Sequence, residues 1–238
     1  MNDTGWTPYC GAAPLPAELL WRWNGDPLLI LALTGLALLA WRAQRSRAVT
    51  LAGLLGAGIL FISPFCALTS ALFSARTVHH LLLMLVLAPI VSQWLTGRGG
   101  ALAAATIGQA LLLWIWHAPA AYAAALSHDA IYWFMQATLL ASAALFWAGL
   151  RDATPMGAVA ALLFSMMQMG LLGALLTFGP TAYYAPHWFT TQAWGMSPME
   201  DQQLAGLIMW VPAAGVYLAA ALLRLHRLLE PDRQGAAA

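Results

Sequence analysis

The chain has 238 residues, 61% of them hydrophobic and 8% charged, with a net charge of +1 and a mean hydropathy of +0.72. That composition excludes a soluble globule and describes an integral membrane protein, and a near-zero charge without a clustered basic face excludes a nucleic-acid binder. All ten basic residues are arginine, so neither a retinal Schiff base nor a Walker-type phosphate loop, each of which needs a lysine, is available.

Residues 1–26 carry no basic region ahead of an apolar core and read as a short outer tail rather than a cleaved signal. Apolar runs near the length that crosses about 30 Å of hydrocarbon then repeat along the chain. Their punctuation predicts seven helices over 27–41, 49–62, 77–96, 101–118, 130–150, 155–178 and 198–223. The second run is short and reads as tilted or incomplete. Strict alternation is absent, which argues against a barrel. Asp26-Pro27, Thr154-Pro155 and Ser197-Pro198 each place a capping side chain before a proline at the first helical position. Ser197 and Glu200 also have capping-box spacing. The expected fold is all-α: a polytopic membrane bundle of about seven transmembrane helices over 27–223, followed by a cytoplasmic tail at 224–238.

An odd number of spans puts the termini on opposite sides. Arg42, Arg45, Arg47, Arg98, Arg151, Arg224, Arg227 and Arg233 fall on one face, and only Arg22 and Arg76 on the other. The positive-inside rule therefore places the N-terminus outside and the C-terminus in the cytoplasm. With that orientation His79, His80, His117, His128 and His187 lie on the outer side, as do Cys10, Cys66, Glu200 and Asp201. No ionisable residue falls at the bilayer centre, which argues against an ion-coupled transporter.

The third span opens with "RTVHHLLLMLVLAP". His80 and Met84 share a helix face, and Arg76 lies about one turn before the two histidines. A neighbouring cation disfavours imidazolium and keeps the ring in its metal-binding form. The competing reading is an interfacial pair hydrogen-bonded to headgroups and backbone. In "WIWHAPAAY" Pro119 stops the helix just after His117; that imidazole either serves a site or satisfies the last carbonyls, and Trp114 and Trp116 read as an interfacial belt. In the fifth span His128, Tyr132, Met135 and Gln136 form one stripe, in which the Met135 thioether is a soft ligand suited to Cu(I) or plain core. Met166, Met167 and Met169 of "MMQMG" lie about 16 Å below the outer end and read as filler. Gly53 and Gly56, and Gly170 and Gly173, form small-residue faces for close helix contact. Glu200 and Asp201 have a structural account as first-turn carboxylates. Cys10 and Cys66 either form a disulfide or supply thiolates.

Four ordered stretches, "FSARTVHHLLLMLVLAP", "WIWHAPAAY…AL…ALFW", "LLGALLTFGP…Y" and "SPMEDQQLAGLIMWVP", resemble the CtaG family of bacterial cytochrome c oxidase assembly factors. "YCGAAP…WNGDP" near the start is similar to the shorter proteobacterial branch. The resemblance implies a non-enzymatic, multi-pass protein of the bacterial inner membrane that acts in maturing the copper-containing oxidase of the respiratory chain, with oxidase subunits or other assembly factors as partners. Where many members have a histidine, a methionine and a second histidine entering the third span, this chain has Arg76, Thr77 and His80; where many have histidine and a glutamate-histidine pair in the fifth, it has Tyr132, Met135 and Gln136. The outer histidine site that the family pattern suggests is thus thinned to His80 and His117, with His79 and Met135 as substitutes and Arg76, Tyr132, Gln136, Asp201, Cys10 and Cys66 around them.

The reading that follows is a chaperone-like assembly factor that receives or hands over Cu(I) at a periplasmic face. No Gly-x-Ser-x-Gly, His-Glu-x-x-His or paired intramembrane carboxylates point to hydrolysis. The alternatives are a redox protein holding haem b between His80 and His117, and a copper permease lined by the methionines of the sixth span.

Overall fold

A computed structural model describes residues 6, 8–43, 46–95 and 102–229, and among these every regular element is helical. Helices α1 (Pro27–Arg42) and α2 (Arg47–Phe61) lead into the short α3 (Pro64–Ala71). Helix α4 (Phe73–Leu82), a π turn (Leu83–Leu87) and α5 (Ala88–Ser92) form one continuous 20-residue span. Helix α6 (Leu102–His117) is followed by α7 (Pro119–Ala125), then by α8 (Asp129–Asp152) and α9 (Pro155–Phe178). Helix α10 (Pro198–Ile208), a second π turn (Met209–Ala213) and α11 (Ala214–Leu229) close the bundle.

Four of these helices are long and apolar enough to cross a bilayer: Phe73–Ser92, Asp129–Asp152, Pro155–Phe178 and Pro198–Leu228. Two bent pairs raise the number to six, α2 with α3 at 42° and α6 with α7 at 79°. Helix α1 is apolar but only 16 residues long. The sequence-predicted helices at 49–62 and 101–118 thus each continue past a proline. Pro64 and Pro119 end one helix, and because each stands at the first helical position, where its missing N–H costs nothing, each also begins the next. Arg45, Arg98 and Arg233, residues 96–101 and residues 230–238 lie outside the described residues.

Local chemistry sets the helix starts. The Asp26 carboxylate accepts from the Leu28 N–H at 2.8 Å, and Thr154 Oγ1 from Gly157 at 3.2 Å. Ser197 and Glu200 complete the capping box in both directions, at 2.7 and 3.3 Å. Such caps contribute about 1 kcal/mol each. Pro89 follows the first π turn closely and Pro212 lies within the second. A proline withholds a backbone N–H and crowds the preceding turn, so a widened turn relieves it; at the first, the Met84 carbonyl accepts instead from Trp147 Nε1 at 2.9 Å.

Helix α9 packs against α10 and α11, α8 against α5 and α6, and α4 against α10. Interhelical hydrogen bonds run through this core: Gln109 Nε2 donates to the Tyr217 hydroxyl at 2.8 Å, Trp114 Nε1 to Gln168 Oε1 at 2.9 Å, and Trp116 Nε1 to Thr138 Oγ1 at 2.9 Å. Trp114 and Trp116 therefore tie α6 to α9 and α8. The methionines of α9 diverge, Met169 pointing inward and Met167 outward at 59% exposure.

At the α9–α10 crossing two glycines meet. A Cβ on Gly206 would lie 2.6 Å from the Gly173 carbonyl and 2.7 Å from the Thr177 nitrogen, both backbone atoms that cannot swing away. Gly206→Ala is expected to force these helices apart at a cost of about 1–3 kcal/mol. Gly35→Ala on α1, where a Cβ meets nothing within 4 Å, is expected to be neutral or stabilising. Thermal unfolding in detergent checks both, with a fall of several degrees for the first and none for the second.

Candidate functional site

Helix α4 carries Arg76, His79 and His80, and its start is set from a distance. The Asp201 carboxylate, on the first turn of α10, accepts the backbone N–H of Phe73 at 2.6 Å and of Ser74 at 3.1 Å, and also the Ser74 hydroxyl. Asp201 is wholly buried, so an acid read in sequence as a first-turn residue of its own helix is the cap of another. A carboxylate bonded to the free N–H groups of a helix start is a strong, charge-assisted anchor.

From that anchor α4 projects His80 toward α6 and His79 toward α2 and α3. His79 donates from Nε2 to the Leu60 carbonyl at 3.1 Å, with its ring against Phe61 and Phe65, which leaves Nδ1 without a partner in the protein. His80 is 2% exposed and has no partner at either nitrogen. His117, at the end of α6, donates from Nδ1 to the Leu113 carbonyl at 2.7 Å, which fixes its tautomer and leaves the Nε2 lone pair for a ligand. The His80 ring lies 5.9 Å from that of His117 and 5.9 Å from that of His79, centroid to centroid. The structure thus gathers three of the sequence-named residues. Among the described residues no three His, Cys, Asp or Glu side chains form a metal-holding group, so what is assembled is a chain of adjacent imidazoles rather than a hard, high-coordinate cage.

The α8 stripe borders this row. Tyr132, Met135 and Gln136 are buried, while His128 is exposed at the helix start. The Arg76 guanidinium lies over the Tyr132 ring at 5.3 Å. Both amide atoms of Gln136 lack a partner within the protein.

Around the row stand two tyrosines to which the sequence assigned no role, and His187, which it placed on the outer side without a role. The Tyr184 hydroxyl donates to the His117 carbonyl at 2.8 Å, and its ring stacks on Phe73 at 3.8 Å. The Tyr122 hydroxyl donates to His187 Nε2 at 2.6 Å, while His187 Nδ1 donates to the Ala71 carbonyl at 3.4 Å. His187 is therefore committed at both nitrogens, and burial, reinforced by the Arg76 charge, pushes its pKa down to about 3. A lowered histidine pKa favours the folded state fully above the unfolded value near 6.5, and the gain is lost as pH falls from there toward 3. Tyr122 belongs to "WIWHAPAAY" and the Tyr183-Tyr184 pair closes "LLGALLTFGP…Y", but no local signal ties Tyr184 or His187 to the row.

The tail packs on Tyr132, the residue stacked against Arg76. Cys10 and Cys66 form a disulfide with their Cα atoms 5.4 Å apart, so both sulfurs are spent on each other. Cys10 Sγ lies 3.7 Å from the Tyr132 hydroxyl. Tyr9 stacks on Tyr132 at 4.9 Å, meets Trp133 edge-on and hydrogen-bonds Asp26. Burial raises the Tyr9 pKa, and the Tyr9 hydrogen bond lowers that of Asp26, so this latch holds above the ordinary carboxylate range and is lost on acidification below it. Arg22 donates to the Ala12 carbonyl at 2.9 Å and Trp194 to that of Pro14 at 3.2 Å.

Two outcomes follow. Removing the Asp201 cap with Asp201→Ala strands buried donors and is expected to cost about 1–3 kcal/mol, read as a lower melting temperature; Asp201→Asn, which keeps an acceptor oxygen, loses less. The crosslink closes a segment of 56 residues, for which chain entropy gives about 4 kcal/mol. Cys66→Ser is expected to lower the melting temperature without reducing agent and to bring it level with reduced wild type.

The family model described as the cytochrome c oxidase caa3 assembly factor (Caa3_CtaG) matches residues 100–230. No curated protein and no solved structure matches the chain. The matched region runs from α6 to the end of α11 and includes His117, the α8 stripe and Asp201. It covers more than half of the 238 residues, and the chain is a member of the caa3-type cytochrome c oxidase assembly factor family.

Proposed function

We propose that the protein is a non-catalytic assembly factor that holds Cu(I) as cargo between His80 and His117 and passes it to cytochrome c oxidase during maturation. The observation that carries this is the 5.9 Å approach of the two rings, each with a nitrogen free of protein partners. Imidazole suits copper, and low-coordinate Cu(I) is satisfied by few soft donors. His79 Nδ1 and the Met135 thioether are further candidate donors. Loading and release are ligand exchanges, in which copper leaves the imidazoles for donors on the client without change of oxidation state. Because His80 and His117 are buried, transfer requires the tail over Tyr132 to move, and oxidase subunits or other assembly factors are the partners that would move it.

In this reading Pro27–Arg42 is the seventh span, tilted or locally thinning the bilayer to compensate for its 16 residues. The N-terminus and the histidine end then face the periplasm of a bacterial inner membrane. Supporting this, Arg42, Arg47, Arg151, Arg224 and Arg227 lie at the bundle end opposite the histidines, while Arg22 and Arg76 lie with them.

Anaerobically purified wild-type protein is expected to retain about one Cu(I) per chain, and His80→Ala and His117→Ala to weaken it at least about 10-fold, given that losing even an outer-shell partner costs that much. Oxidase copper content should fall in cells carrying either variant. Normal copper content in both, or a bis-histidine Soret band in the purified protein, would contradict the assignment.

A further inference from the structure

Arg76 is among the largest side chains fully withdrawn from solvent, at 0% exposure. Its Nε, Nη1 and Nη2 make no hydrogen bond of good geometry within the protein, and the Tyr122 and Tyr132 hydroxyls, which lie close enough to act on it, are neutral. A guanidinium does not shed its proton at any pH the protein meets, and a buried charge left uncompensated is expensive. An ionisable side chain inside a membrane protein calls for a counter-charge.

The groups that meet this cation carry none. They are the face of Tyr132 at 5.3 Å, the Tyr122 phenol, and the imidazoles of His79, His80 and His187, all of which sense its field. Asp201 is an acid of the same region, since it and Arg76 both act on Tyr122, but its two oxygens are taken by Phe73 and Ser74. Cation–π attraction offsets only about 2 kcal/mol when desolvated, well short of a buried charge. Further buried polar atoms of α3 and α4 are unpartnered as well: Ser70 Oγ, Thr77 Oγ1 and both ring nitrogens of His80.

We propose that Arg76 anchors a buried site for one small monovalent anion, of halide or formate size. One negative charge balances one guanidinium; a phosphate would exceed it, and a lipid phosphate would have to leave the headgroup layer. The guanidinium N–H groups are the primary donors, with a His80 N–H, one turn along the same helix face, as auxiliary. The site stands whether or not copper binds. Where copper does bind, the anion halves the positive charge that His80 and His117 would otherwise bring together with Arg76.

The test uses the full chain in detergent, exchanged into sodium gluconate and titrated with sodium bromide, chloride, formate or phosphate at constant ionic strength. Wild type is expected to bind one bromide or formate per chain by calorimetry, with a saturable rise in melting temperature, and to give no such response to phosphate. Arg76→Gln is expected to lose at least tenfold in bromide affinity, and Arg76→Lys, which keeps the charge, to retain weakened binding. Absence of saturable binding in wild type, binding of phosphate in preference to bromide, or undiminished binding in Arg76→Gln overturns the proposal. If Arg76→Gln does not fold, anomalous scattering from crystals of wild type in bromide decides: a peak within hydrogen-bonding distance of the guanidinium supports the site, and a peak only elsewhere overturns it.

Discussion

The Asp201 carboxylate, locked onto the first turn of α4, is the interaction from which the rest of the site takes its position. It joins helices that are far apart in sequence, and it does so where water is scarce and each unbonded N–H is costly. Arg76, His79 and His80 all ride on the helix it holds. Small shifts of that anchor would move the imidazoles relative to His117, which is held by its own carbonyl bond to Leu113. Two separate devices, a carboxylate cap and a carbonyl clamp, thus fix the two rings that face each other.

The same economy runs through the bundle. Several polar side chains in the apolar core bond across helices, as Gln109 does to Tyr217 and Trp114 to Gln168, and α9 and α10 also approach closely through glycine, at Gly173 and Gly206. Against this background many of the unpartnered buried atoms lie on one helix. Arg76, Thr77, His79 and His80 are consecutive or nearly so on α4, and the disulfide-anchored tail covers their neighbour Tyr132.

Much of the fold was legible because its signals are local. Asp26, Thr154 and Ser197 cap the helices they were read as capping, since a cap needs only the next few residues. His80 and His117 stood out in sequence as polar residues at the ends of apolar runs. What stayed hidden was long-range. Asp201 reaches back 127 and 128 residues to Ser74 and Phe73, His187 reaches 65 residues to Tyr122, and no periodicity encodes either. Helices α3 and α7 were obscured for a different reason: the second run was read as ending at 62 and Pro119 as a stop, while a proline at the first helical position, as Pro64 and Pro119 are, is equally a start. Trp114 and Trp116 carried the composition of an interfacial belt, and only the placement of Gln168 and Thr138 beside them makes them interhelical donors.

The central claim is that His80 and His117 present two imidazole nitrogens to one copper ion inside the bundle. X-ray absorption on anaerobically copper-loaded wild type tests it most directly. The account predicts low-coordinate Cu(I) with imidazole scattering from two rings, falling to one ring or to no bound copper in His117→Ala. A copper shell made of sulfur alone, or one unchanged by that substitution, would contradict it.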